Sequence, residues 1–178
     1  MEKATNDFTS GSHQALIEIM HEYGPPLLRY CHNILCDYHE AQDALQMTFI
    51  KAYDRRATFR DGAPISPWLY KIAYTTCIDI LRRKKLRLIA PEPAPEAQTQ
   101  EKEGYIPENI RAALMTLTAA DRALVFGRVI EERSYDELSA ILGKSAAALR
   151  KRYERARYRL MDMLREDYPY YAKKEESK

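Results

Sequence analysis

A chain of 178 residues, 46% of them hydrophobic, has room for one medium domain or two small ones with packed cores, which argues against global disorder. Its 28 basic and 26 acidic residues leave a net charge of +2, so any attraction to nucleic acid must come from local clusters. Three cysteines make no disulfide framework. The N-terminus MEKATNDFTSGSHQ has no apolar leader and no apolar run reaches membrane-spanning length, so the expectation is a reduced, cytoplasmic protein without membrane insertion.

In chain order, the first helix expected is His13 to Tyr23, with Leu16, Ile17, Ile19 and Met20 as its apolar positions. Gly24-Pro25-Pro26 should end it and open a second helix to about Cys36, because proline is tolerated in a first turn but not in a helix interior. A helix from Glu40 to about Asp54 follows, with Ala41, Ala44, Leu45, Thr48, Phe49 and Ala52 at helical spacing. A loop from Arg55 to Ile65 holds Asp61-Gly62 and Pro64. Ser66-Pro67 then reads as an N-cap followed by a first-position proline. The helix it opens runs from Trp68 to about Leu88, with Leu69, Ile72, Ala73, Thr76 and Ile80 on its buried face.

From Ile89 to Gly104 the pattern changes. Pro91, Pro93 and Pro95 block helix, and Glu96, Gln98, Gln100, Glu101 and Glu103 follow. This segment reads as a flexible acidic linker, the part most open to proteolysis. It separates a domain at 1–88 from one at 105–178, giving an all-α chain of two small helical domains.

The second half predicts four shorter helices, Ile106–Thr116, Ala119–Glu131, Tyr135–Leu142 and Ala146–Arg165. Ser134 and Glu137 form a capping box, Gly143 supplies a turn with positive φ, and Ser145 caps the next helix. Helix, short glycine turn, helix is the helix-turn-helix pattern. In the last helix Leu149, Tyr153, Ala156, Leu160 and Leu164 recur at helical spacing and should be buried. Arg150, Lys151, Glu154 and Arg155 share another face, where arginine and lysine can donate to guanine O6 and N7 and glutamate can accept from cytosine N4. Ala146, Ala147 and Ala148 permit close approach, and Tyr135, Lys144 and Arg157 are candidate phosphate contacts. Net basic charge between Lys144 and Arg165, and the run Arg82, Arg83, Lys84, Lys85 and Arg87, supply two local positive fields.

On the helix from Glu40 to Asp54, Asp43, Gln46, Met47 and Ile50 form a stripe opposite the core, and this mixture of acid, amide and aliphatic side chains suits a protein partner. Here a family resemblance becomes specific. The stretch Asp37-Tyr38-His39-Glu40-Ala41-Gln42-Asp43-Ala44-Leu45-Gln46-Met47-Thr48-Phe49 resembles the polymerase-binding segment, region 2, of extracytoplasmic-function sigma factors. Pro67-Trp68-Leu69-Tyr70-Lys71-Ile72-Ala73 and Asp79-Ile80-Leu81-Arg82-Arg83 continue it in order. Ser134-Tyr135-Asp136-Glu137-Leu138, Ile141-Leu142-Gly143-Lys144-Ser145, Leu149-Arg150-Lys151-Arg152 and Arg155-Ala156-Arg157 resemble region 4.

The resemblance implies a factor that confers promoter specificity on bacterial RNA polymerase and leaves the chemistry of initiation to the polymerase. Asp43, Gln46, Met47 and Ile50 would dock on the β′ coiled coil of the core enzyme. Lys71, Thr75, Arg82 and Arg83 would meet and melt the −10 element. Arg150, Lys151, Glu154 and Arg155 would read the −35 element, in a domain that also contacts β. An anti-sigma factor is the implied regulator, and the short tail Tyr168–Lys178, which offers no fused regulatory domain, fits control in trans. Four departures stand out: Met47 occupies a usually acidic position, Thr75 one often held by asparagine, the proline usual near Thr118 is missing, and Ala146-Ala147-Ala148 replace Glu-Gly-Thr.

Other readings have less support. Cys31, His32, Cys36 and His39 are close in sequence, but their spacing is irregular for a structural zinc site, so no metal or other cofactor is expected. The carboxylates Asp37, Glu40, Asp43 and Asp79 show no nucleophile–base pairing, so no catalytic residue is assigned. The alternative of another class is a helix-turn-helix regulator whose first domain binds an effector or dimerises. Such a protein needs neither the Asp43/Gln46 stripe nor the Arg82–Arg87 cluster.

Overall fold

The computed structural model describes residues 8–60, 62–89 and 106–165, with side chains omitted at 87–89. The expected linker, Ala90 onward, and the tail Tyr168–Lys178 lie outside the described residues. Every regular element described is helical, and the chain divides into two compact units, Met1–Glu103 and Gly104–Lys178.

In the first unit, helix α1 is His13–Leu35, α2 is Tyr38–Asp54 and α3 is Ile65–Ile89, with a 3-10 turn at Arg56–Thr58. The break expected at Gly24-Pro25-Pro26 does not occur, and both prolines lie inside α1. Each proline removes one backbone donor and crowds a carbonyl four residues earlier, a cost of about 3 kcal/mol or more in a helix interior. Against that, Ala15, Ile19, Tyr23, Leu27, Tyr30 and Ile34 form one unbroken buried stripe. Burying a large side chain contributes roughly 1.5–3 kcal/mol, so a continuous helix that keeps the whole stripe inside outweighs the two lost bonds. Ile17 and Met20, expected among the apolar positions of α1, are exposed because they fall off this stripe.

Asp37 caps α2 by accepting the Glu40 backbone N–H at 2.9 Å, so the helix begins two residues before the expected start. Ala41, Ala44, Thr48 and Ala52 are fully buried, and these small side chains let α1 and α3 approach α2 closely. The Thr48 hydroxyl donates to the Ala44 carbonyl at 2.6 Å and so enters the core satisfied. Helix α3 opens at Ile65, which puts Ser66 and Pro67 in its first turn instead of at its cap. Pro67 is tolerated there because first-turn N–H groups have no partner within the helix. Leu69, Tyr70, Ile72, Ala73, Thr76 and Cys77 face the core, while Ile80 is half-buried. The Tyr30 and Tyr70 rings meet edge-on at 4.9 Å, and Phe59 packs edge-on against Trp68 at 5.2 Å.

The buried Cys31 and Cys77 thiols hydrogen-bond one another. That bond and burial raise the Cys77 thiol well above its ordinary range, which leaves it unreactive. Cys36 sits in the left-handed cap of α1 at φ 56°, His32 is buried against Tyr38, and His39 is exposed. The four residues weighed as zinc ligands thus point to different surroundings. Among the described residues no three His, Cys, Asp or Glu side chains form a metal-holding group.

In the second unit, helix α4 is Glu108–Met115, α5 is Ala119–Val129, α6 is Tyr135–Leu142 and α7 is Ala146–Leu164. Leu124, Leu138 and Leu149, one from each of the last three helices, form the centre of the core. Gly127 marks the point where α5 meets α6, since a Cβ there would lie 2.6 Å from Leu138 Cδ2, and Leu138 is only 1% exposed. Gly127→Val should therefore destabilise this unit by about 1–3 kcal/mol, the usual cost of overpacking a filled core. Urea unfolding of the full chain checks it. A variant with an unshifted transition would mean that Leu138 has room to move.

Candidate nucleic-acid interface

The helix-turn-helix is built from local chemistry. Ser134 accepts the Glu137 backbone N–H at 3.2 Å, and the Glu137 carboxylate accepts from the Ser134 backbone N–H at 2.8 Å. The Ser134 hydroxyl and backbone N–H donate to Glu137 and hold its carboxyl below the ordinary range. Gly143 ends α6 in the left-handed region at φ 67°, and Ser145 accepts the Ala148 N–H at 3.3 Å to open α7.

The rotation of α7 is set by Leu149 and Ala156, both buried. Arg150, Lys151, Glu154 and Arg155 are consequently exposed on one face. Tyr153, Leu160 and Leu164 are half-buried, not buried as the spacing predicted. For Leu160 and Leu164 the reason is length: α7 has 19 residues and α6 has 8, roughly 28 Å against 12 Å, so its C-terminal part outruns the helices that could cover it. Lys144 is exposed in the turn, and Arg157 lies 3.6 Å from the Glu154 carboxylate. Tyr135 is half-buried at the start of α6, beside the guanidinium of Arg150.

Arg152 belongs to the same basic run but does another job. Its Nε donates to Asp121 Oδ1 and its Nη2 donates to Thr118 Oγ1 at 2.9 Å, while the Thr118 hydroxyl donates to Asp121 Oδ2 at 2.6 Å. Thr118 also caps α5 by accepting the Asp121 N–H at 3.2 Å. Burial alone would raise the Asp121 carboxyl, but the hydrogen bonds from Arg152 and Thr118 outweigh it and hold it below its ordinary value. Beside it, buried Arg122 donates to the Leu117 carbonyl at 2.9 Å and so ties the end of α4 to α5. The sequence signal for this cluster is Thr118-Ala119-Ala120-Asp121, a cap with an acid three residues on. Nothing local shows that Arg152 is the arginine facing it.

In the first unit, Asp43, Gln46, Met47 and Ile50 are all exposed on α2, opposite Ala41, Ala44, Thr48 and Ala52. Met47 is 42% exposed and Ile50 53%, so two large apolar side chains sit in solvent with an acid and an amide. On α3, Lys71, Thr75, Arg82 and Arg83 are exposed. The Thr75 hydroxyl turns back onto its own helix, donating to the Ile72 carbonyl at 2.9 Å. Arg82 lies 3.2 Å from Asp79, which is also 3.8 Å from Lys51, and Lys84 pairs with Glu40 at 2.7 Å. The basic run on α3 is therefore partly neutralised, with Arg83 and Lys85 exposed beside it. Asp37, Glu40 and Asp79, weighed as catalytic carboxylates, are engaged in a helix cap and ion pairs. No described helix is long and apolar enough to cross a membrane.

Both helical units have relatives among known proteins. The family model described as Sigma-70 region 2 matches residues 19–87, and that described as Sigma-70, region 4 matches residues 108–160. The ECF RNA polymerase sigma factor SigW of Bacillus subtilis (strain 168) is 28% identical over 93% of this chain and 97% of its own. The RNA polymerase sigma factor YlaC of the same organism is 30% identical over 80% of this chain and 88% of its own. Among solved structures, CnrH in complex with the cytosolic domain of CnrY is similar with a TM-score of 0.72 at 22% identity, covering 93% of this chain and 97% of that one. The sigma factor RpoE in complex with the anti-sigma factor NepR from Bartonella quintana is similar with a TM-score of 0.70 at 22% identity, covering 83% of this chain and 95% of that one.

Proposed function

The chain belongs to the sigma-70 family of RNA polymerase sigma factors, in its extracytoplasmic-function branch, and from that premise we propose how its two units divide the work of promoter recognition. The first unit docks on core polymerase through Asp43, Gln46, Met47 and Ile50 of α2, against the β′ subunit. Its α3, through Lys71, Thr75, Arg82 and Arg83, meets the −10 element. The second unit reads the −35 element through Arg150, Lys151, Glu154 and Arg155, with Lys144 and Arg157 close to the DNA backbone, and contacts the β subunit. Bond-making belongs to the polymerase, in the cytoplasm. An anti-sigma partner is part of the proposal, supported by the solved RpoE complex, whose sigma factor shares this fold.

The observation that carries the DNA reading is the division of α7. Leu149 and Ala156 hold one face in the core, which leaves Arg150, Lys151, Glu154 and Arg155 pointing outward behind a glycine turn. Arg150→Ala should lose about 1–3 kcal/mol of discrimination at one −35 base pair, the worth of a bidentate contact. Lys144→Ala should instead weaken all sequences together and flatten the salt dependence, as a phosphate contact does. Run-off transcription with purified core polymerase over a library of −35 variants separates the two. An Arg150→Ala profile that falls uniformly would reduce Arg150 to a backbone contact.

A further inference from the structure

Tyr135 is the first residue of α6, and its hydroxyl is the feature that suggests a phosphate contact. Its ring has closer business. Tyr135 packs against the Leu124, Leu138 and Leu149 core, and Tyr153 meets it edge-on at 6.4 Å. The Arg128 Cζ lies 4.8 Å from the ring centroid and the Arg150 Cζ 5.2 Å. Both distances are within the range in which the negative face of an aromatic ring attracts a guanidinium. Arg128 is itself tethered, its Nη1 donating to the Arg133 carbonyl. The ring is therefore held by the core, by Tyr153 and by an anchored arginine, and the remaining cation beside it is exposed Arg150.

We propose that Tyr135 is a positioning residue for Arg150, acting through its ring to hold the guanidinium of α7 ready to read a base edge, and not through a hydroxyl contact to phosphate. The proposal rests on the reading of Arg150 as a base reader. The physical reason is rotamer freedom. An arginine side chain has many rotamers to lose, and bidentate recognition of a guanine requires one planar arrangement. A fixed ring next to the guanidinium removes much of that freedom before DNA arrives. The link also couples the two helices of the motif, so the first residue of α6 sets the side chain that α7 presents.

The test is run-off transcription by core polymerase loaded with the full chain, over the same −35 library. The proteins are wild type, Tyr135→Phe, Tyr135→Leu, Arg150→Ala and the Tyr135→Leu/Arg150→Ala double variant. Tyr135→Phe keeps the ring and should retain the wild-type profile. Tyr135→Leu should lose about two- to fivefold of the preference at the base pair that Arg150→Ala relaxes, and nothing further in the double variant. Ring-fluorinated phenylalanine at position 135 keeps the shape but not the negative face, so it should behave like leucine even if leucine loosens the core. The proposal is overturned if Tyr135→Phe falls with Tyr135→Leu across all sequences, which assigns the role to the hydroxyl. It is equally overturned if the fluorinated ring behaves as wild type, or if Tyr135→Leu relaxes a different base pair. Failure of the underlying reading looks different: Arg150→Ala itself then relaxes no position, and the proposal falls with it.

Discussion

Arg152→Ala should destabilise the second helical unit by about 2–4 kcal/mol while removing no DNA contact. Its partner Asp121 has a side chain only 12% exposed, so deleting the guanidinium leaves a carboxylate nearly buried with Thr118 as its remaining partner. Breaking a buried pair from one side costs about 3–5 kcal/mol, and the expected cost is about 1 kcal/mol less because Arg152 is 32% exposed and its share is screened by water. The pH dependence carries a sign that identifies the cause. In the wild type, Asp121 is held below its ordinary pKa, so its contribution is present above the unfolded-state pKa and is lost as pH falls through the folded value. Without Arg152, burial is opposed by the Thr118 hydrogen bonds alone, so Asp121 is held down less than in the wild type. Acidification then costs the variant less than the wild type, and the gap between them should narrow as the solution is acidified. Urea unfolding of both proteins across the acid range measures this. A gap that is constant with pH would mean that Arg152 acts by packing, not by pairing with Asp121.

Asp43→Arg should weaken binding to core polymerase roughly thirtyfold or more, as loss of an interface hot spot worth about 2 kcal/mol does. Asp43 is exposed on the α2 face that also carries Gln46, Met47 and Ile50, so the substitution leaves the Ala41, Ala44, Thr48 and Ala52 packing untouched. Helix content and melting of the variant should match wild type. Gln46→Ala should act in the same direction with a smaller effect. Retention of wild-type affinity by both variants in a direct binding assay would move the docking surface elsewhere on the first unit.

The legible parts of the structure are those encoded by neighbours in sequence. Ser134, Glu137, Gly143 and Ser145 specify the helix-turn-helix through caps and one positive φ, and α6 has the bounds that those signals predict. The exposed face of α7 followed from the spacing of Leu149 and Ala156. What was not legible depends on tertiary burial. The Gly24-Pro25-Pro26 triplet signals a break, but the stripe from Ala15 to Ile34 keeps α1 continuous. Arg152 looks like its neighbours Arg150 and Lys151, and only the position of the α5 N-terminus turns it from a surface charge into the partner of Asp121. Tyr135 reads as a polar contact because its hydroxyl is visible in the sequence, whereas the approach of Arg128 and Arg150 to its ring depends on how three helices meet.

The most direct test of the central claim combines the purified chain with core RNA polymerase on a promoter library randomised at both the −10 and −35 positions. The account predicts a stoichiometric complex with core and transcripts enriched for one pair of elements, with the −35 preference lost in Arg150→Ala and the complex weakened in Asp43→Arg. A chain that binds its own DNA site tightly alone and forms no complex with core would contradict it, and would make this protein a helix-turn-helix regulator instead.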